Sequence, residues 1–290
     1  MRREQLYIFI FCLGLFWSCN SVEPKETKIQ SEVSNQSLFT LLHPDSCGIK
    51  FENKVIESES NNYFTNQYIY NGAGVAAGDV NNDGLVDLYF AGNSAPDELY
   101  LNKGDFRFED ISVQAEIIQS AGTWSTGVSF VDINGDGWQD IYVCRAGYGL
   151  EPASRSNLLY MNRGDGTFKE LGRATGLNDS SNSTQALFLD YDKDGDLDIY
   201  VMNYPEKWNA QDAAEQPLSQ SDHLYRNLGN GTFEDVTEAA GVNNYAFGLG
   251  IAAIDVNQDG WDDVYVANDY LENDFLYLNN QKGGFTEIIK

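Results

Sequence analysis

Four stretches of this chain place oxygen-bearing side chains at alternate positions: DVNNDGLVD from Asp79, DINGDGWQD from Asp132, DYDKDGDLD from Asp190 and DVNQDGWDD from Asp255. Each reads D-x-[DN]-x-D-G-x-x-D. Positions 1, 3, 5 and 9 supply side-chain oxygens and position 7 supplies a backbone carbonyl. Gly at position 6 permits the sharp turn that folds them around one point. The donor set is hard, anionic and built of oxygen alone, which suits Ca²⁺ with its roughly 6 to 8 oxygen ligands. Without a cation, carboxylates held this close repel one another.

The predicted side-chain ligands are Asp79, Asn81, Asp83 and Asp87 in the first loop and Asp132, Asn134, Asp136 and Asp140 in the second. The third offers Asp190, Asp192, Asp194 and Asp198, and the fourth Asp255, Asn257, Asp259 and Asp263. Leu85, Trp138, Asp196 and Trp261 are the predicted backbone donors. Up to four structural Ca²⁺ ions are therefore expected, of weak extracellular-type affinity on the order of 10⁻⁴–10⁻³ M. An EF-hand opens alike but needs a bidentate Glu at position 12. Here that place holds Phe90, Val143, Val201 and Val266. A single copy is equally well read as a metal-free Asx-turn; four copies in register favour the metal.

The elements that must position these loops recur with them, at spacings of 53, 58 and 65 residues. A short apolar segment precedes each loop: GVAAG at 74–78, GVSFV at 127–131, QALFL at 185–189 and GIAAI at 250–254. A strand pattern follows each: DLYFA, DIYVC, DIYVM and DVYVA. Next come LYLN, LYMN, LYRN and LYLN, ending at Asn102, Asn162, Asn227 and Asn279. Six residues beyond each Asn stands a Phe (108, 168, 233 and 285), past turns such as GDG and GNG that suit a tight hairpin. Each repeat thus predicts strand A, acidic loop, strand B, connection, strand C, hairpin and strand D. Four antiparallel strands in a repeat of this length make a β-propeller blade. A β-sandwich is the alternative, but it does not require near-identical sequence in every four-strand unit. The fold class is all-β, with repeats at about 74–113, 127–172, 185–237 and 250–289.

Composition limits the function classes. The chain has 290 residues, 44 Asp plus Glu against 18 Lys plus Arg, and a formal charge of −26. Such a surface repels nucleic acid and anionic lipid headgroups. Aromatic content of 13% argues against disorder. Thirteen of the sixteen predicted ligand side chains are Asp, so metal accounts for part of the acidity and not all of it.

The N-terminus reads as an export signal over 1–18. Arg2 and Arg3 precede an apolar run from Tyr7 to Trp17, too short to span a bilayer. Ser18-Cys19 at its end resembles a bacterial lipoprotein signal, with Cys19 as the lipidated residue; a plain secretory signal is the alternative. Residues 19–40 read as a polar tether and 41–290 as the propeller. The expected location is the outer membrane or cell surface, or otherwise the periplasm or the medium. Cys12 and Cys19 belong to the signal, leaving Cys47 and Cys144 as buried thiols or a single pair.

The repeat residues resemble the FG-GAP or VCBS repeat family. YNGAGVAAGDVNNDGLVDLYFAGN and FEDVTEAAGV are similar to the cartilage-acidic-protein-like bacterial lipoproteins associated with an ASPIC/UnbV module. The resemblance implies a seven-bladed ring with Ca²⁺ in the A–B loops, mostly used in binding or adhesion, and does not imply an enzyme. "GIKFEN" at 48–53 reads as a further strand D, with Phe51-Glu52 standing like Phe108-Glu109. Four blades then form the N-terminal part of a longer ring, or half of one completed by a second chain. Closure as a four-bladed ring is the rival expectation.

Strand alternation puts the metal loops and C–D hairpins on one face and the B–C and D–A connections on the other. The interval from the last loop Asp to strand C is 12, 19, 26 and 13 residues, so the third blade carries an insertion over 203–221. Tyr204 and Trp208 in it are the candidate ligand-binding residues, for a protein or glycan partner. Only His43 and His223 are present, and no Ser/His/Asp or zinc spacing appears. A polysaccharide-cleaving lyase or hydrolase is the alternative function.

Overall fold

In a computed structural model the described residues are 39–59, 61–117, 122–147, 150–205, 220–270 and 272–289. The chain divides into Met1–Leu41 and a second, compact unit, Leu42–Lys290. The second unit contains four separate four-stranded antiparallel sheets, each ordered A-B-C-D along the chain. Blade 1 is β1 (Val75–Gly78), β2 (Asp87–Phe90), β3 (Glu98–Asn102) and β4 (Phe108–Asp110). Blade 2 is β5 (Ser125–Val131), β6 (Asp140–Arg145), β7 (Leu158–Asn162) and β8 (Phe168–Glu170). Blade 3 is β9 (Asn182–Leu189), β10 (Asp198–Tyr204), β11 (His223–Asn227) and β12 (Phe233–Asp235). Blade 4 is β13 (Phe247–Ile254), β14 (Asp263–Asp269), β15 (Phe275–Asn279) and β16 (Phe285–Glu287).

Consecutive blades pack face to face by one repeated rule. The strand-B Tyr and strand-C Leu of one blade meet the strand-B aliphatics and strand-C Tyr of the next. Tyr89 and Leu99 meet Ile141, Val143 and Tyr160. Tyr142 and Leu159 meet Ile199, Val201 and Tyr225. Tyr200 and Leu224 meet Val264, Val266 and Tyr277. Each such side chain stabilises the stack by about 1.5–3 kcal/mol when fully buried. Among the described residues no apolar cluster joins a strand of blade 4 to a strand of blade 1, while Phe247 of blade 4 clusters with Ile69 and Tyr68, ahead of blade 1. Cys47 and Cys144 are free and buried.

Residues 48–53, expected as a strand D, form no strand. They follow a short helix instead, α1 (Pro44–Cys47). Two equivalent helical turns follow strands D: α2 (Gly172–Thr175) after β8 and α3 (Thr237–Ala240) after β12. Each ends on a glycine of positive φ seated against a strand-D Phe carbonyl of the next blade. A Cβ on Gly176 would lie 3.0 Å from the Phe233 oxygen, and one on Gly241 3.2 Å from that of Phe285. Gly48 is seated in the same way on Phe108, at 2.3 Å. Gly48-Ile49 therefore matches Gly176-Leu177 and Gly241-Val242, and Phe51 is not a strand-D residue. Its ring stacks on Phe90 at 5.1 Å, covering the side of blade 1. The apolar–acidic dipeptide was too short a pattern to separate the two registers.

Candidate metal centre

Each acidic loop joins strand A to strand B, and its backbone is folded by its own side chains. In loop 1 the Asp83 amide donates to Asp79 Oδ1 and Asn81 Oδ1, both at 3.1 Å. The Gly84 amide donates to Asp79 Oδ2 at 2.7 Å, and that of Leu85 to Asp83 Oδ1 at 2.8 Å. Loops 2 and 4 repeat the whole set. Positions 1, 3 and 5 thus converge from one side of the turn. Leu85, Trp138, Asp196 and Trp261 enter these contacts through their amides.

Position 3 divides the loops. Asn81, Asn134 and Asn257 each donate a side-chain N–H to the position-5 carboxylate, at 3.0, 2.9 and 3.0 Å. Asp192 has no such donor. In loop 3 the oxygens of Asp190, Asp192 and Asp194 lie within 4.8 Å of one another. Asp190 Oδ1 is buried with no hydrogen-bond partner among the described residues. Burial first, and the charges of Asp194 and Asp190 after it, push the Asp192 carboxyl up. An orphaned buried carboxylate oxygen beside two more carboxylates fits a hard divalent cation.

Position 9 has a second task. Asp87, Asp140, Asp198 and Asp263 are fully buried at the start of strand B. One oxygen of each accepts the amide of loop position 2: Val80 at 3.0 Å, Ile133 at 3.2 Å, Tyr191 at 3.1 Å and Val256 at 3.0 Å. The other accepts the amide of the strand-C Asn, at 2.8 Å in all four blades. Each oxygen keeps one lone pair for a further partner. Burial pushes Asp140 and Asp198 up to about 7, with the neighbouring loop carboxylates adding to it and the two amides opposing it.

The strand-C Asn ties this end of the blade to its neighbour. Asn162 Nδ2 donates to the Val80 carbonyl of blade 1 at 2.8 Å, and Asn279 Nδ2 to that of Tyr191 in blade 3 at 2.8 Å. Asn227 reaches Ile133 of blade 2 at 3.5 Å. Position 4 adds contacts between loops. Asn82 Nδ2 donates to the Gly137 carbonyl at 3.0 Å, and Lys193 Nζ to that of Gly260, over the Trp261 ring. Gly135, at position 4 of loop 2, has no side chain to send to loop 3.

A site missed in the sequence closes the other end. The residue just before strand C is Asp97, Asn157, Asp222 or Asp274. Tyr89 Oη donates to Asp97 and Tyr200 Oη to Asp222, each at 2.8 Å, and Tyr265 Oη to Asp274. In blade 2 the polarity reverses, with Asn157 Nδ2 donating to Tyr142 Oη at 3.1 Å. The same residue's other oxygen, or the Asn oxygen, accepts an amide from the far end of strand B: Gly92, Arg145, Asn203 and Asn268. This clasp spans 8, 15, 22 and 9 residues of chain. A recurring D/N-x-L-Y carried the signal.

The ligand-loop candidates separate. Tyr204 is the last residue of β10 and is buried, its ring 5.4 Å from that of Tyr68. It is not on an exposed loop. Trp208 lies outside the described residues, as do 1–38 with Cys19 and the signal. His43 caps α1 and is exposed, while His223 Nδ1 lies 2.6 Å from buried Asp179.

A family model described as FG-GAP-like repeat matches residues 79–143, 149–201 and 213–266. Cartilage acidic protein 1 of Mus musculus is 25% identical over 225 residues, covering 74% of this chain and 34% of its own. That of Xenopus tropicalis is 25% identical over 228 residues, with the same coverage. The Homo sapiens protein is 28% identical over 155 residues, 49% of this chain and 22% of its own. The chain spans about a third of the length of the first two relatives. Among solved structures, an Agrocybe aegerita lectin that recognises non-reducing terminal N-acetylglucosamine aligns at TM-score 0.42 and 20% identity, over 72% of this chain and 50% of its own. The V. cholerae biofilm matrix protein Bap1 aligns at 0.38 and 17%, over 74% and 30%.

Proposed function

The chain belongs to the FG-GAP-like repeat family, and from that membership we propose that it is an exported, calcium-stabilised binding scaffold. The observation that carries the reading is loop 3, where three carboxylates converge and a buried Asp190 oxygen lacks a partner. Ca²⁺ there completes the oxygen set, and the equivalent residues of loops 1, 2 and 4 take it in the same register. Its task is structural. A bound cation neutralises the turn and fixes where strand B enters the blade. Function then belongs to the opposite face, where B–C connections of unequal length stand on blades already fastened at both ends.

Export and a lipid tether through Cys19 are part of the proposal. Among the described residues no helix is long and apolar enough to cross a membrane. Calorimetric titration with Ca²⁺, paired with melting in EDTA, tests the scaffold. Uptake of calcium with a raised melting temperature is expected. A chain that takes up none and melts identically in chelator would overturn it. Cys19→Ala is expected to move the protein from the membrane fraction to the soluble one.

A further inference from the structure

At the end of strands A opposite the acidic loops lies a cavity of about 600 Å³. Its composition departs from that of the chain. None of its sixteen lining residues is charged, though charged residues make up 21% of the sequence. Three aromatic side chains, half-buried Tyr68 and buried Trp124 and Tyr204, form part of the wall. Tyr68 Oη is bonded to Asp269 at 3.3 Å, and its half-buried ring packs against those of Tyr204, Phe247 and Tyr270. The exposed side-chain amides of Asn71 and Gln185 stand at the rim with no side-chain hydrogen bond among the described residues.

The repeat builds this cavity on purpose-placed irregularities. The ladder shifts by one residue in β5 between Ser125 and Val128, in β9 at Thr184, and in β13 between Gly248 and Gly250. The residue six before the first loop Asp is Thr126, Thr184 and Leu249 in these blades and Ala73 in blade 1. All four line the cavity. A β-bulge leaves its extra residue unpaired and re-aims it, and such bulges gather beside sites. The strands also come unusually close there. A Cβ on Gly127 would lie 2.5 Å from the Thr184 carbonyl, and Thr126 Oγ1 donates to the Ser183 carbonyl at 2.6 Å.

We propose that this cavity is a binding site for a neutral saccharide. The assignment rests on the scaffold reading above and names its ligand class. Aromatic faces stack on the C–H faces of a sugar ring, while side-chain amides exchange hydrogen bonds with its hydroxyls. The absence of charge selects against uronates, sulfated sugars and phosphates, which would be desolvated without a counter-ion. The volume falls within the roughly 300–1,000 Å³ range of small-molecule sites.

The test is calorimetric titration of the full chain in calcium buffer with neutral oligosaccharides (cello-, malto- and chito-oligomers), an oligogalacturonate and an apolar peptide. At least one neutral oligomer is expected to bind while the oligogalacturonate does not. Gln185→Ala and Asn71→Ala, both at exposed positions, are expected to weaken it about tenfold with melting temperature unchanged. Trp124→Phe retains a stacking face and is expected to bind more weakly, and Trp124→Ala to abolish binding. Sugar binding that ignores the exposed-site variants sinks the cavity and leaves the scaffold standing. Binding of the anionic oligomer or the peptide alone, or of none of the probes, overturns the assignment. A calcium-indifferent chain sinks the scaffold reading independently, through its melting curve.

Discussion

At the loop end of blade 3, buried Asp198 accepts the amides of Tyr191 and Asn227 beneath three more carboxylates. At the opposite end, buried Asp222 accepts Tyr200 Oη, the Asn203 amide and the Asn244 side-chain amide. Both carboxylates are removed from water and both hold strand B to strand C. They differ in what surrounds them. The clasp is supplied with donors by the protein itself, whereas the loop gathers more negative charge than its amides can satisfy. Blade 3 therefore has one end whose carboxylate is supplied with donors and one where carboxylates crowd together, the place where we propose a cation.

The strongest way to break this contrast is to remove calcium. With free Ca²⁺ at about a hundred times Kd, each occupied site adds about 2.7 kcal/mol. Calorimetry in EDTA is expected to show a large fall in melting temperature. An unchanged melt would mean that the loop end is as self-sufficient as the clasp. Asp222→Ala comes next, leaving Tyr200 Oη and the Asn203 amide buried without their acceptor, while Asn244 keeps Tyr277 Oη. A loss of about 3 kcal/mol is expected by urea unfolding, equal with and without calcium. A calcium-dependent loss would couple the two ends.

Asp222→Asn sharpens the comparison with a smaller change, since Asn157 already fills this place in blade 2. Burial pushes the Asp222 carboxyl up to about 6, with its hydrogen-bond donors opposing the shift. A raised folded pKa gives stability that is fully present below the unfolded value near 4 and lost as pH rises through about 6. The wild-type chain should therefore gain this component on acidification from pH 7 to 4, and the Asn variant should lack it. Identical pH slopes would remove Asp222 from the account. The smallest effect is expected of Lys193→Ala, which severs the link from loop 3 to Gly260. It should change stability by no more than about 0.5 kcal/mol and show chiefly as weaker calcium uptake by loop 4.

The parts written into short, repeated, strongly typed strings were legible. The acidic loops, strands B and C and the C–D hairpins stand where D-G-x-x-D, D-[LIV]-Y and L-Y-x-N placed them, because charge, turn chemistry and alternation agree there. Strands A were legible only in part. Their apolar pattern marks 127, 185 and 250 as starts in blades 2 to 4, while the strands begin at Ser125, Asn182 and Phe247. The bulge breaks the period of two that reveals a strand. The clasp was hidden for another reason. Its Tyr reads as a core residue and its Asp as the end of a loop, and only the fold brings them within reach. The strand-C Asn was visible as a repeat, but its reach into the preceding blade's loop belongs to packing between blades.

The clasp also bears on how such chains change over time. A phenol and a carboxylate (in blade 2 an amide) suture the two lips of the B–C opening, so the connection beyond the last residue of strand B is a tied-off appendix. Lengthening it from 8 residues to 22 costs about 1 kcal/mol of closure entropy, a small toll for a stretch freed from holding the sheet together. Natural drift, or a protein engineer grafting a foreign peptide, can rewrite that stretch while the blade beneath keeps its register.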